Sequence, residues 1–208
     1  MTAASQPIFM ITKFTLNDQV DDVEEFQEPF VALADTLSRV DGFVASRLGR
    51  SKRASDVFYN LGHWADAASY QAAVADRDFF VHLSELYYLA SIESDQAAAV
   101  SEAGDADGHG VIALTVFTLR EGVDAADFER RFHEHVEFVV AQPGFVHHRF
   151  LRSLRRPGVY VNVGTWASAE EYLTLVRSPE FGAEAARMAP LVSVESDFVA
   201  PLEAGVAG

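Results

Sequence analysis

The chain has 208 residues, enough for one large domain or two small ones, and is 49% hydrophobic, 23% charged and 12% aromatic, the make-up of a globular protein with a core. Sixteen Lys and Arg stand against 31 Asp and Glu, a net charge of −15 with no basic cluster, which sets the chain against phosphate backbones and anionic lipid and speaks for no nucleic-acid and no membrane partner. There is no cysteine, so disulfides, thiolate metal sites and cysteine nucleophiles are out. The opening MTAASQP lacks a basic-then-apolar pattern, and the expectation is a cytoplasmic protein.

Taken in chain order, IFMITKFTL (8–16) is a β-rich run of strand length. Val23, Phe26, Phe30, Leu33 and Leu37 then step by three and four, which predicts an amphipathic helix. Asp41-Gly42 marks a turn, and two short β-rich runs follow, ending at Trp64. Asp66 stands where an N-cap opens a second helix, and a last strand is predicted near 87–95. AAAVSEAGDADGHG (97–110) is rich in Ala, Gly and Asp without periodicity and reads as a linker. The order then starts again: VIALTVFTL (111–119), a stripe of Phe128, Phe132, Val136 and Val139, a turn at Pro143-Gly144 and β-rich runs to Trp166. Ser168 with Glu171 fits a capping box, and a closing strand falls near 191–199.

The second half is a copy of the first. An offset of 102 residues relates Asn60 to Asn162, Trp64 to Trp166, Tyr70 to Tyr172 and Phe79 to Phe181, along with GFVASRLGRS to GFVHHRFLRS and SIESD to SVESD. Each copy reads β-α-β-β-α-β, the ferredoxin-like split motif of the α+β class. The expected organisation is a first domain at 1–96, a linker at 97–110 and a second domain at 111–208. A four-stranded sheet with helices on one face leaves the other bare, so two tandem copies are expected to pack as an intrachain pseudo-dimeric α/β barrel. Further homo-oligomerisation is left open.

The N-x-G-x-W run at the end of each third strand, the Tyr six residues later and the Ser-Pro-Glu-Phe at 178 resemble the antibiotic biosynthesis monooxygenase domain of the dimeric α/β-barrel superfamily, over nearly the whole chain. Within that family the spacing is most similar to the cofactor-independent anthrone monooxygenases of aromatic polyketide pathways. That resemblance implies Asn60, Trp64 and Tyr70, and Asn162, Trp166 and Tyr172, as catalytic residues, with no cofactor. A haem-degrading branch places a helical His where Val74 and Val176 stand here, which argues against haem.

The residues themselves allow this chemistry. Asn and Trp four apart on a strand share a face, and Gly62 or Gly164 between them leaves an open notch where a flat aromatic substrate could lie. The amide N–H can donate to an oxyanion, as can the indole N–H and the Tyr hydroxyl, while the indole ring offers a stacking wall. The plainer reading is packing: a Trp at a strand end is often core, and an Asn beside a Gly often serves a turn or bulge. Arg47 and Arg149 recur and read either as a clamp on a substrate oxygen or as solvated strand ends. His133 and His135, two apart on a helix, do not share a face, and the adjacent His147 and His148 point to opposite sides, so no metal site is expected. His135 or His147 could act as a base in the second copy, since Leu33 and Ala45 stand at those positions in the first. His63 stands in the first copy where Thr165 stands in the second, so the two cavities are expected to differ in activity, with either as the active one.

The expected function is thus a cofactor-independent monooxygenase that oxidises an anthrone-like aromatic polyketide intermediate to a quinone, with dioxygen as co-substrate. A polyketide cyclase on the same fold and a non-catalytic ligand-binding module stand as alternatives.

Overall fold

Phe14 and Phe58 lie on neighbouring strands and pack with Phe26, Phe30 and Leu86 from helices, and this contact fixes which face of the first sheet is covered. The computed structural model describes residues 6–20, 23–202 and 206–207. Contacts divide the chain into unit 1, Met1–Ala98 with Val199–Gly208, and unit 2, Ala99–Phe198.

Unit 1 comprises β1 (Ile8–Leu16), α1 (Val23–Ser38), β2 (Phe43–Ser51), β3 (Val57–Trp64), α2 (Ala67–Val74), α3 (Arg77–Leu89) and the first part of β4 (Ala90–Gly104). Its strands run in the order β4-β1-β3-β2, with β1 antiparallel to both β3 and β4. Unit 2 repeats the plan with β5 (Val111–Leu119), α4 (Ala125–Val140), β6 (Phe145–Ser153), β7 (Val159–Trp166), α5 (Ala169–Val176), α6 (Pro179–Met188) and β8 (Val192–Pro201), ordered β8-β5-β7-β6. Both units are ferredoxin-like, and the predicted stripes are the buried faces of α1 and α4. Phe26, Phe30, Phe128 and Phe132 are almost fully buried, each contributing about 1.5–3 kcal/mol of apolar burial.

Three local features differ from the sequence-based expectation. The second helix of each copy is two helices. Asp76 and Ser178 cap new starts by accepting from the backbone N–H of Asp78 and Phe181, so the Ser-Pro-Glu-Phe run is a helix beginning with Pro at the first turn. The strand expected near 87 begins at Ala90, because α3 continues to Leu89.

The third feature is at residues 97–104, read as linker from composition, which are strand. β4 continues to Gly104 and in unit 2 borders β6, while Val199–Pro201 of β8 and the short β9 (Val206–Ala207) pair with β2 in unit 1. Each unit's β2-type edge therefore receives the tail of a closing strand. Ala-rich sequence has little β-propensity, but the unpaired N–H and C=O groups of an edge strand supply a partner that composition does not reveal. Among the described residues no helix is long and apolar enough to cross a membrane.

Candidate active site

Side chains of β3 alternate, and Phe58 fixes the phase: Asn60, Gly62 and Trp64 fall on the same helix-covered face. Asn60 lies opposite Thr12 of β1, and Gly62 lies opposite Met10 of β1 and Ser46 of β2. The Ser46 hydroxyl donates to Asn60 Oδ1 at 2.6 Å. That contact occupies the amide oxygen and turns Nδ2 toward Gly62. A Cβ built on Gly62 would sit 3.8 Å from Asn60 Nδ2 and 3.7 Å from Trp64 Nε1, so two N–H donors converge above a position that carries no side chain. Beside them Thr12 and Ser94 share a hydrogen bond of 3.0 Å.

Unit 2 repeats this with one change. Asn162 Oδ1 is held at 3.1 Å by His148 Nδ1 instead of by a serine. A Cβ on Gly164 would lie 3.7 Å from Asn162 Nδ2 and 3.4 Å from Trp166 Nε1. His148 is only 3% exposed, and its burial holds the imidazole below the usual histidine range, against the Asn162 hydrogen bond, which favours the charged form. The ring is therefore neutral near pH 7. With Asn162 Oδ1 as acceptor, the proton sits on Nδ1 and the lone pair on Nε2.

The tryptophans do more packing than stacking. Trp64 and Trp166 are each 2% exposed. Trp64 lies between Phe43, 5.3 Å away, and Tyr70, 5.5 Å away, and Trp166 lies between Phe145 and Tyr172 at 5.9 and 5.7 Å. Tyr172 also stacks on Phe198 at 5.4 Å. The expected stacking wall is thus largely covered by the protein's own rings, while the indole N–H edge addresses the notch.

Arg47, Arg149 and His147 are placed elsewhere. Arg47 is the register partner of Leu61 and Arg149 that of Val163, so both lie on the face opposite the amides. His147 bonds Glu102 Oε1 through Nε2 at 2.8 Å, and the same oxygen accepts from Arg149. Burial raises the Glu102 pKa, but the Arg149 and His147 contacts outweigh it and hold the carboxyl below its ordinary value. The cause of the placement is a β-bulge. Pairing shifts register between Phe43 and Ala45 and between Phe145 and His147, which turns Ser46 and His148 toward the notch and Ala45 and His147 away from it.

His135 on α4 does face the site side of unit 2, among Phe132, Phe138 and Phe181, with its Nδ1 buried and unbonded. Burial lowers its pKa, and it senses His148 electrostatically. Spacing alone does not mark Ser46, and it presents His148 only as half of an adjacent pair with His147. The signal available was that a polar Asn in an apolar strand needs a partner, and these two residues correspond at the repeat offset.

Comparison with known proteins agrees with this architecture. A deoxynogalonate monooxygenase of Streptomyces nogalater is 33% identical over 82 residues, which is 39% of this chain and 66% of the relative, so the chain spans just under two thirds of the length of that curated relative. A candidate monooxygenase of Fusobacterium nucleatum superposes with a TM-score of 0.78 at 10% identity, covering 97% of this chain and 94% of the other. An anthrone oxidase-like protein superposes with a TM-score of 0.76 at 15% identity, covering 100% of this chain and 95% of the other. Those two likenesses show the fold. The antibiotic biosynthesis monooxygenase family matches residues 7–79 and again 110–187, and the chain belongs to that family in two tandem copies.

Proposed function

We propose that this chain is a cofactor-independent monooxygenase that oxidises an anthrone-like aromatic polyketide intermediate to a quinone, and that it works in the cytoplasm. The observation that carries the reading is the convergence of Asn Nδ2 and Trp Nε1 on a glycine notch, with the amide oxygen tied back by Ser46 or His148. Family membership supports the reaction class, and the relative named for deoxynogalonate supports a related substrate class.

An anthrone carries a methylene whose C–H is acidic because the resulting charge spreads onto the ring carbonyl. Two N–H donors held at the notch stabilise that oxyanion. The enolate can then pass one electron to dioxygen, and the carbon radical and superoxide join in a C–O bond. The hydroperoxide loses water to leave a carbonyl, so one O₂ is consumed and one H₂O formed for each methylene converted. Tyr70 on α2 and Tyr172 on α5 are in ring contact with the tryptophans.

Oxygen uptake by metal-stripped protein with anthrone tests this. Acceleration over buffer, with anthraquinone as product, is the expected result. Conversion without oxygen consumption would mean a cyclase, and binding without conversion a carrier; either outcome removes the proposal.

A further inference from the structure

Among the described residues, the side chain that holds the amide oxygen can accept a proton at neutral pH in unit 2, where it is His148, and not in unit 1, where it is Ser46. His148 is the cross-strand partner of Gly164, as Ser46 is of Gly62. Both share the face of Asn162 or Asn60 and bond its amide oxygen. A serine hydroxyl orients the amide but cannot take a proton from carbon. An imidazole with Nδ1–H committed to the amide has its Nε2 lone pair free for that task.

We infer that His148 is the general base of the unit 2 notch, taking the substrate's C–H proton on Nε2, and that unit 1, with Ser46 in that place, does not deprotonate substrate. The inference rests on the oxygenase reading above. The hydrogen bond through Asn162 Oδ1 couples base to oxyanion donor. As Nε2 takes the proton, the Nδ1–H donates more strongly to Oδ1, which polarises the amide and sharpens Nδ2–H as a donor while charge appears on the substrate oxygen. The step balances: the proton moves to Nε2 and the C–H electron pair remains in the enolate. After oxygen has added, Nε2–H returns the proton to the terminal peroxide oxygen. In the last step the second C–H proton leaves to Nε2 as the O–O bond breaks, and the departing hydroxide recovers it as water.

The groups that set the proton affinity of His148 are His135 and His133 on α4, His147 on its own strand and Glu102 on β4, with Glu184 on α6 acting beside His135. Phe132 and Phe145, with ring centroids 6.5 Å from the imidazole, make its surroundings apolar.

The test separates proton removal from oxygenation. Under argon, the full-length protein in D₂O should speed exchange of the anthrone methylene, and His148→Gln should slow that exchange about 10²–10⁴-fold. Gln keeps a side-chain N–H for Asn162, so a fold preserved by circular dichroism is expected. His148→Gly should regain exchange when imidazole is added, a recovery that a structural role would not produce. The pH profile of wild-type exchange should show its acid limb below the ordinary histidine range, and His148→Gln should lose that limb. Wild-type rates and pH profile in both variants, with oxygen uptake intact, would overturn the base while leaving the oxygenase standing. Neither exchange nor oxygen uptake by the wild type would overturn both.

Discussion

Gly164 and Trp166 share one face of β7, with the indole nitrogen 3.4 Å from the point a Cβ on Gly164 would occupy. All other neighbours of that point are at 3.7 Å or beyond, and the backbone there needs no positive φ. A methyl therefore fits the protein while taking the space between the two donors. Gly164→Ala should keep the unfolding free energy within about 0.5 kcal/mol of wild type, as for a sterically tolerated substitution. The same variant should abolish most oxygen uptake with anthrone. Unchanged turnover would show that substrate does not use the notch.

The amide of Asn162 has two tasks, one on each side. Its Nδ2 serves the notch and its Oδ1 satisfies the buried His148. Asn162→Ala should cost about 10²–10³ in kcat, the usual loss for one oxyanion donor. Leaving His148 Nδ1 unpaired should also lower stability by about 1–3 kcal/mol. Stopped-flow oxidation and urea melts on one preparation read both. A stability loss with turnover retained would leave the amide a packing group.

The periodic features were legible because each is local. The stripes of α1 and α4, the caps at Asp66 and Ser168 and the alternation that puts Asn60, Gly62 and Trp64 on one face all follow from spacing within a few residues. The tail of β4 was not legible, since its strand state comes from an edge far away in sequence. Nor was the choice of His148 over His147, because a bulge leaves no mark in a hydrophobic pattern and reverses the side on which every later residue lies. The stacking role expected of Trp64 and Trp166 is limited by Phe43, Tyr70, Phe145 and Tyr172, whose contacts needed the third dimension.

Repeat comparison gives a stability prediction at His135. Its Nδ1 is buried and unbonded, and the first copy holds Leu33 there, buried in the core. His135→Leu should raise stability by about 1 kcal/mol by removing the unmet polar group, some 2–4 °C for a chain of this size. Burial depresses the imidazole pKa, so wild-type stability is full above the ordinary value of 6.5 and falls as pH drops through it toward the folded value. The gain from His135→Leu should accordingly be larger at pH 5 than at pH 8. A lower midpoint in the variant would mean that water or substrate already satisfies the ring.

Glu102 ties the tail of β4 to β6 through His147 and Arg149. Its carboxyl is held below the ordinary value of 4.5, so its contribution is present above that value and is lost as pH falls through the lowered folded value. The side chain is 38% exposed, and solvent screening keeps that contribution under about 1 kcal/mol. Glu102→Gln should therefore lower the urea midpoint slightly at pH 7, and the difference from wild type should shrink as pH falls below 4.5. Hydrogen exchange should place the loosening at residues 99–104 before it reaches the β5–β7 pairing, because the substitution frees the tail while the ladder of unit 2 keeps its own bonds. A midpoint loss that does not change with pH would show that Glu102 acts by packing and not by charge.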